Sequence, residues 1–247
     1  MLRLEGVSHS YEGRAVLRDI DLDLAEHRIG VIGANGSGKS TLARTLNGLV
    51  LPDRGRVSLG EWDTRRHAKH IRRRVGFVFS DAANQIIMPT VAEDVEIGLR
   101  ALRLGRAETA RRVDAALDRY GLADHRDHPG HLLSGGQKQL LALASVLVTG
   151  PEILVCDEPT TLLDLRNTRM VHRTLAGLDQ QVVLFTHDLD LLTGFDRVLV
   201  MSDGRVAFDG FPSDAVAFYT RLMDSEPSEP EGAGAGDPGA PGTGAAP

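Results

Sequence analysis

The chain is poor in several things at once. Its one cysteine, Cys156, excludes an internal disulfide and agrees with a reducing compartment. No apolar run approaches the roughly 20 residues that a membrane-spanning helix needs. The longest candidate, Leu140 to Val148, is about half that length and reads as a buried core helix. Met1 to Glu5 alternates charged and apolar side chains without an apolar h-region, so no secretory signal is expected. Lysine is scarce: only Lys39, Lys69 and Lys138 stand among 28 basic residues, which makes each lysine position informative. No internal repeat and no sustained heptad pattern is present. From Leu222 onward there is no Lys or Arg. Five of the 34 acids (Asp224, Glu226, Glu229, Glu231 and Asp237) lie there, which leaves 29 acids against 28 bases in the body. A body of net charge −1 gives no general attraction to nucleic acid, and no nucleic-acid partner is expected.

What is present is an α/β pattern. Val75 to Phe79, Ile153 to Cys156 and Val182 to Phe185 are short apolar runs that end abruptly in polar residues. Buried parallel strands that deliver function at their C-terminal ends read this way. Leu2 to Val7 and Val16 to Leu24 alternate polar with apolar and predict an antiparallel edge sheet. Asp203-Gly204 between apolar runs predicts a hairpin over Val198 to Phe208. Apolar spacing at three and four residues (Leu99, Leu102, Val113 to Leu117, Leu140 to Leu147) predicts a helical subdomain inserted at about residues 88–148. Residues 1–223 read as one domain and residues 224–247, rich in Pro, Gly, Ala and acids, as a disordered tail.

Gly33-Ala34-Asn35-Gly36-Ser37-Gly38-Lys39-Ser40-Thr41 satisfies the G-x-x-x-x-G-K-[ST] phosphate loop in full. Ile29 to Ile32 before it reads as a strand, and Leu42, Leu46 and Leu49 after it read as one helical face. Glycines let successive N–H groups turn inward toward phosphate oxygens, and the helix N-terminus adds partial positive charge. Lys39 is expected on the β- and γ-phosphates of ATP, and the Ser40 hydroxyl on Mg²⁺. Asp157-Glu158 leaves the Ile153 strand as two acids. Asp157 is expected to hold the Mg²⁺ shell, and Glu158 to act as the base toward the attacking water. Leu133-Ser134-Gly135-Gly136-Gln137 precedes an apolar helix. Ser134 reads as its N-cap, and the paired glycines bare N–H groups for a second anion site.

These motifs together resemble the nucleotide-binding subunits of ABC transporters, over essentially Leu2 to Met223. The resemblance implies a P-loop NTPase core with a RecA-like mixed sheet, an antiparallel β edge sheet and an inserted helical subdomain. It implies that Ser134, Gly135, Gly136 and Gln137 face ATP bound by a second ATPase subunit, identical or different, in a head-to-tail dimer. It places Tyr11 against adenine, Asp164 in a loop that speaks across the dimer, and His187 on the γ-phosphate. It also implies transmembrane partner subunits and a peripheral position on the cytoplasmic face of the membrane. One position departs from the pattern: where the family carries a metal-sensing glutamine after Phe79, this chain has Ser80. Ser80 reaching Mg²⁺ through water, or Gln85 after a loop shift, are the two ways to fill the role, with weaker metal coupling expected.

The segment Asp81 to Val95, with Gln85-Ile86-Ile87-Met88-Pro89-Thr90-Val91 and the serine at position 80, resembles energy-coupling-factor importers of vitamins and transition-metal ions. Within them it is most similar to biotin-transporter ATPases, followed by cobalt and nickel importers. Chromosome-maintenance ATPases share the head but need long coiled-coil arms, and Thr41 and Leu133 lie only 92 positions apart. Ribosome-associated relatives carry two heads where this chain has one. His125, His128 and His131 recur every third residue, but Pro129 and Gly130 break a shared helix face and no metal site is expected. Arg65 to Arg74 reads as a solvated basic helix. Substituting Lys39 by Ala is expected to weaken ATP binding by about 100-fold or more, read by equilibrium dialysis with labelled nucleotide. Undiminished affinity would overturn the loop assignment.

Overall fold

The computed structural model describes residues 1–225. Two sheets carry the fold. The first has four antiparallel strands, in the order β2 (Arg14–Leu24), β1 (Leu2–Tyr11), β4 (Arg54–Leu59) and β5 (Trp62–Asp63). The second has six strands. In order they are β10 (Arg205–Gly210), β9 (Arg197–Ser202), β3 (Arg28–Gly33), β8 (Gln181–Phe185), β7 (Ile153–Asp157) and β6 (Val75–Val78). From β9 to β6 every pairing is parallel, and β10 alone runs antiparallel as the edge. Strands β3, β6 and β7 are buried along their whole length, as apolar runs covered on both faces must be. In β1, Leu2, Leu4 and Val7 turn inward against Leu24, Leu22 and Ile20 of β2, while Arg3 and Glu5 face solvent.

Among the described residues seven α-helices surround the sheets: α1 (Lys39–Leu46), α2 (Thr64–Arg74), α3 (Val91–Leu99), α4 (Arg106–Arg119), α5 (Gly135–Leu147), α6 (Leu165–Ala176) and α7 (Pro212–Ser225). Several begin on side chains able to accept from the free N–H groups of a first turn. Asp63 accepts from Arg65 N, and Asp164 from Asn167 N. Thr90 with Glu93 and Ser134 with Gln137 form reciprocal capping boxes. The helices α3, α4 and α5 lie between β6 and β7 and share a core of Val91, Val95, Leu99, Val113, Leu117 and Leu141. The other large core lies between the antiparallel sheet, α1 and one face of the parallel sheet, around Leu4, Leu17, Ile29, Leu42 and Phe185.

Arg28 ties one end of the parallel sheet together. It is 8% exposed, and burial pulls its guanidinium below its ordinary value against the opposing attraction of Asp196 and Asp179. Its guanidinium donates to the carbonyls of Gln180 at 2.8 Å, Ala176 at 3.3 Å and Leu178. Those oxygens sit at and just beyond the last turn of α6, where helical carbonyls lack partners and the helix dipole favours a cation. Its own N–H donates to Asp196 Oδ2 at 2.8 Å, which draws in the start of β9.

Three local expectations are corrected. Leu49 does not continue a helical face: α1 ends at Leu46, and the chain turns at Gly48 with φ 71, leaving Leu49 43% exposed. Leu102 lies in a short 3-10 turn at the surface rather than in a helix. The domain does not stop at Met223, because Asp224 and Ser225 belong to α7, whose end is closed by Ser225 Oγ donating to Leu222 O at 2.8 Å. The rest of the expected tail lies outside the described residues. Replacing Arg28 with Met, which keeps the stem and removes the donors, is expected to cost about 2–3 kcal/mol. A lowered urea midpoint with unchanged ATP affinity checks this, because Arg28 lies at the start of β3, far from its functional end.

Candidate functional site

The C-terminal ends of β3, β7 and β8 open into a cleft of about 1140 Å³. Gly33, Asn35, Gly36, Gly38, Lys39, Ser40 and Thr41 line it, together with Tyr11, Ser80, Glu158 and His187. The phosphate loop carries its conformation in its glycines. Gly38, the residue before α1, sits at φ 101, and a Cβ there would lie 2.7 Å from Val16 O. The loop and α1 therefore press directly on β2.

Inside the loop Lys39 is 6% exposed, and burial pulls its ammonium below its ordinary value while Glu158 and Asp157 resist. Its Nζ donates to Gly33 O at 2.7 Å and Ala34 O at 3.0 Å. Ser37 is also buried, and its Oγ has no hydrogen-bond partner. A buried cation and an unpaired buried hydroxyl in one loop suit a phosphate, which supplies charge and several acceptor oxygens.

Beneath the loop, Ser40 Oγ donates to Asp157 Oδ1 at 2.9 Å. Asp157 is 2% exposed, and burial pushes its carboxyl above the usual range, opposed by Ser40 and by Arg44, whose Nη2 lies 3.9 Å away. Two hard oxygen donors, one of them anionic and buried, fit Mg²⁺. Glu158 follows in the left-handed region at φ 53, a conformation that costs a non-glycine residue energy. Its N–H is pinned to Phe185 O at 2.9 Å, and its carboxylate takes hydrogen bonds from His187 Nδ1 at 2.5 Å and Thr161 Oγ1 at 3.1 Å. Lys39 Nζ lies 4.0 Å from its other oxygen. Three separate sequence motifs thus meet at one carboxylate.

Tyr11 stands at the rim of the cleft, 46% exposed, with His9 edge-on at 4.7 Å. Of the two candidates after β6, Ser80 lines the cleft and Gln85 does not. Gln85 Oε1 accepts from Phe79 N at 3.1 Å, and its Nε2 donates to Phe77 O at 3.3 Å. Its amide is occupied in closing the end of β6.

Ser134, Gly135, Gly136, Gln137 and Asp164 do not enter the cleft. They form a second surface where the N-termini of α5 and α6 touch. A Cβ on Gly136 would lie 2.3 Å from the Asn167 side chain, so glycine is what allows the two helix starts to approach. Leucines 132, 162 and 165 stand 71%, 71% and 65% exposed around this surface.

Sequence reasoning did not find Arg14, Val16, Arg18, Asp203, Tyr219 or Met223, which also line the cleft. The predicted Asp203-Gly204 turn holds part of the answer. Gly204 N donates to Ser37 O at 3.1 Å, and Gly204 O accepts from Arg18 N at 2.8 Å. No local pattern marks a hairpin turn as a wall of a phosphate site.

The fold and this cleft define a P-loop nucleoside triphosphatase. A family model described as "ABC transporter" matches residues 17–161, and the chain belongs to that family, whose members are ATPases coupled to transport. A Deinococcus radiodurans chain bearing the general name of an ABC transporter ATP-binding protein is 52% identical over 223 residues, covering 90% of this chain and 99% of that one. The biotin transport ATP-binding protein BioM of Rhizobium etli is 44% identical, covering 90% and 98%. The energy-coupling factor transporter ATP-binding protein EcfA1 of Caldanaerobacter subterraneus subsp. tengcongensis is 41% identical, covering 87% and 82%. Among solved structures, cbiO1 of Clostridium perfringens, part of the ABC transporter complex cbiONQ, superposes with a TM-score of 0.78 at 33% identity. It covers 90% of this chain and 93% of its own. The cassette MJ0796, solved as a dimer bound to ADP and Pi, gives 0.77 at 28% identity, covering 86% and 99%.

The raised Asp157 carboxyl has a consequence for stability. Burial disfavours its ionised form relative to the unfolded chain, so above the raised value the folded state carries a cost. That cost is relieved as pH falls through the raised value and a proton binds. Asp157→Asn is therefore expected to raise the melting temperature of the nucleotide-free chain by about 2–4 °C while abolishing Mg²⁺-dependent turnover. A lowered melting temperature would contradict the burial argument.

Proposed function

We propose that this chain is the ATP-hydrolysing subunit of an energy-coupling-factor importer, that it works as a head-to-tail dimer, and that the transported solute is biotin. The reading that each nucleotide is gripped by two subunits rests on one observation: the Ser134 turn, the second candidate anion-binding surface, lies outside the cleft of its own chain. The cleft has the phosphate loop and the base but not the Ser134 turn. The turn has capped, glycine-bared N–H groups but no lysine of the loop, and exposed leucines surround it. Apolar side chains gathered in this way mark a surface that meets another protein.

In the proposed reaction the phosphate loop and Lys39 hold the β- and γ-phosphates of ATP. Ser40 and Asp157 would hold Mg²⁺, which supplies Lewis-acid neutralisation of phosphate charge. Glu158 receives a proton from the attacking water on Oε1, the oxygen that His187 and Thr161 leave free, and His187, bonded to Oε2, orients the carboxylate and reaches toward the γ-phosphate. Tyr11 offers a stacking face for adenine at the open rim. Ser80 at the cleft replaces a direct amide ligand with a shorter hydroxyl, which favours contact with the metal shell through water.

The importer assignment is supported by the segment after β6. Asp94 of α3 is buried, and its carboxylate accepts from Ile87 N at 2.9 Å, Met88 N at 3.1 Å and Ser145 Oγ at 3.0 Å. This grip holds a short loop with Ile87 displayed 68% exposed, seven residues after Ser80 of the nucleotide cleft. A membrane partner bound there would feel nucleotide through a few residues. No helix of the described residues is long and apolar enough to cross a membrane, so attachment through that loop to transmembrane subunits, on the cytoplasmic face, accounts for membrane association. The name carried by the Rhizobium etli relative supports biotin as the solute.

Glu158→Gln is expected to lower turnover by about 10²–10⁴-fold while ATP binding persists and a dimer accumulates in size-exclusion chromatography. A monomer in saturating ATP would count against the shared-site reading. Co-expression with its membrane partners should give ATP-dependent uptake of labelled biotin. Uptake of cobalt or nickel ions instead would overturn the solute and leave the importer class standing.

A further inference from the structure

His125 and His128 sit against the Ser134 turn in a specific arrangement. Gln137 closes the capping box of α5: its Oε1 accepts from Ser134 N at 2.9 Å, and its own N–H approaches Ser134 Oγ at 3.3 Å. Because a main-chain N–H can only donate, the oxygen of this amide is fixed toward Ser134, and Nε2 must point the other way. There it meets His125 Nε2 at 2.8 Å. An amide nitrogen only donates, so His125 Nε2 is an acceptor and carries no proton. In the neutral ring the proton is then on Nδ1, which lies 2.9 Å from His128 Nδ1 and donates to it. The proton of His128 is left on its Nε2. One tautomer of each ring satisfies the whole chain from Ser134 to His128.

We propose that His125 is a positioning residue for ATP hydrolysis: by accepting from Gln137 it holds the amide that caps the Ser134 turn, and a proton on its Nε2 releases that hold. The proposal rests on the reading of the Ser134 turn as the half-site for a partner's ATP. A protonated His125 presents N–H to an N–H, and the amide cannot flip to meet it without losing Ser134 N. The turn then loses one of its two reciprocal bonds, and the glycine N–H groups of 135 and 136 lose their fixed direction. The charged groups on the surrounding elements are already engaged or lie outside this chain of bonds. On the same segment, Arg126 pairs with Asp114 of α4, while Asp124 and Asp127 immediately precede His125 and His128 in the chain and are exposed. At the start of α3, Glu93 is held by Thr90, and Asp94 by the 87–88 main chain and Ser145. On α5 the neighbour of Gln137 is Lys138, and His131 lies in the connecting turn.

The test compares full-length chains in steady-state ATP hydrolysis with Mg²⁺ from pH 8 to pH 5.5. The parent chain should lose turnover on the acid side, with kcat falling more than KM for ATP, because the cleft that binds ATP in cis is untouched. His125→Gln supplies an amide oxygen that accepts from Gln137 and does not titrate. It should keep turnover at pH 8 within about twofold and flatten the acid loss. His125→Leu removes the acceptor and should lower kcat about fivefold to tenfold at pH 8, the range expected for one neutral hydrogen bond. Parallel acid loss in the parent and His125→Gln would overturn the proposal, as would full turnover in His125→Leu. Ser134→Ala separates the two levels. Full turnover there would sink the half-site reading and this inference with it, whereas loss there with an unaffected His125→Leu would sink the histidine brace alone.

Discussion

A buried cation facing buried carboxylates at the end of a parallel sheet governs this molecule. Lys39 is taken out of water into a loop whose nearest partners are two main-chain oxygens, and Asp157 is taken out of water beside Ser40. Desolvation disfavours the charged form of each, and each resists through the other's charge. Such an arrangement is costly in a folded protein unless it serves the binding of something charged. A triphosphate with its divalent cation answers both needs, which is why Lys39 and Asp157 sit together at one cleft.

Rigid surroundings keep that cleft in shape. Gly38 brings the loop into contact with β2, Gly204 hydrogen-bonds both the loop and β2, and Phe185 of β8 pins Glu158 in a left-handed conformation. The antiparallel sheet is thereby a wall of the nucleotide site and not merely a flanking layer. At the other end of the parallel strands Arg28 closes the carbonyls after α6 and draws three strands into line. Strand starts are fixed there so that strand ends can carry strained and charged groups.

Much of this was legible in the chain because the relevant chemistry is local. A phosphate loop needs its glycines, lysine and hydroxyl within nine residues, and a capped helix shows its Ser and Gln three apart. The strands β6, β7 and β8 announced themselves as short apolar runs. The misreadings share a physical cause. Leu49 fits a helical period, but Gly48 ends the turn at positive φ. Gln85 is the residue type wanted near the metal, yet main-chain groups of β6 take both ends of its amide. Spacing shows what a side chain is, not which neighbour claims its hydrogen bonds.

Sequence by itself determined the ATPase family, the parallel core and the phosphate-loop residues of the cleft, because those are set by residue type at short separation. Tertiary structure alone decided that Glu158, already bonded to Thr161 of its own loop, meets His187 and Lys39 at once, since these come from three segments joined only through the sheet. It also decided that the Ser134 turn lies outside the cleft of its own chain, and that Gln137 leans on His125 twelve residues earlier. Hydrogen bonds between distant segments depend on where packing leaves each donor and acceptor, and no one-dimensional pattern carries that direction.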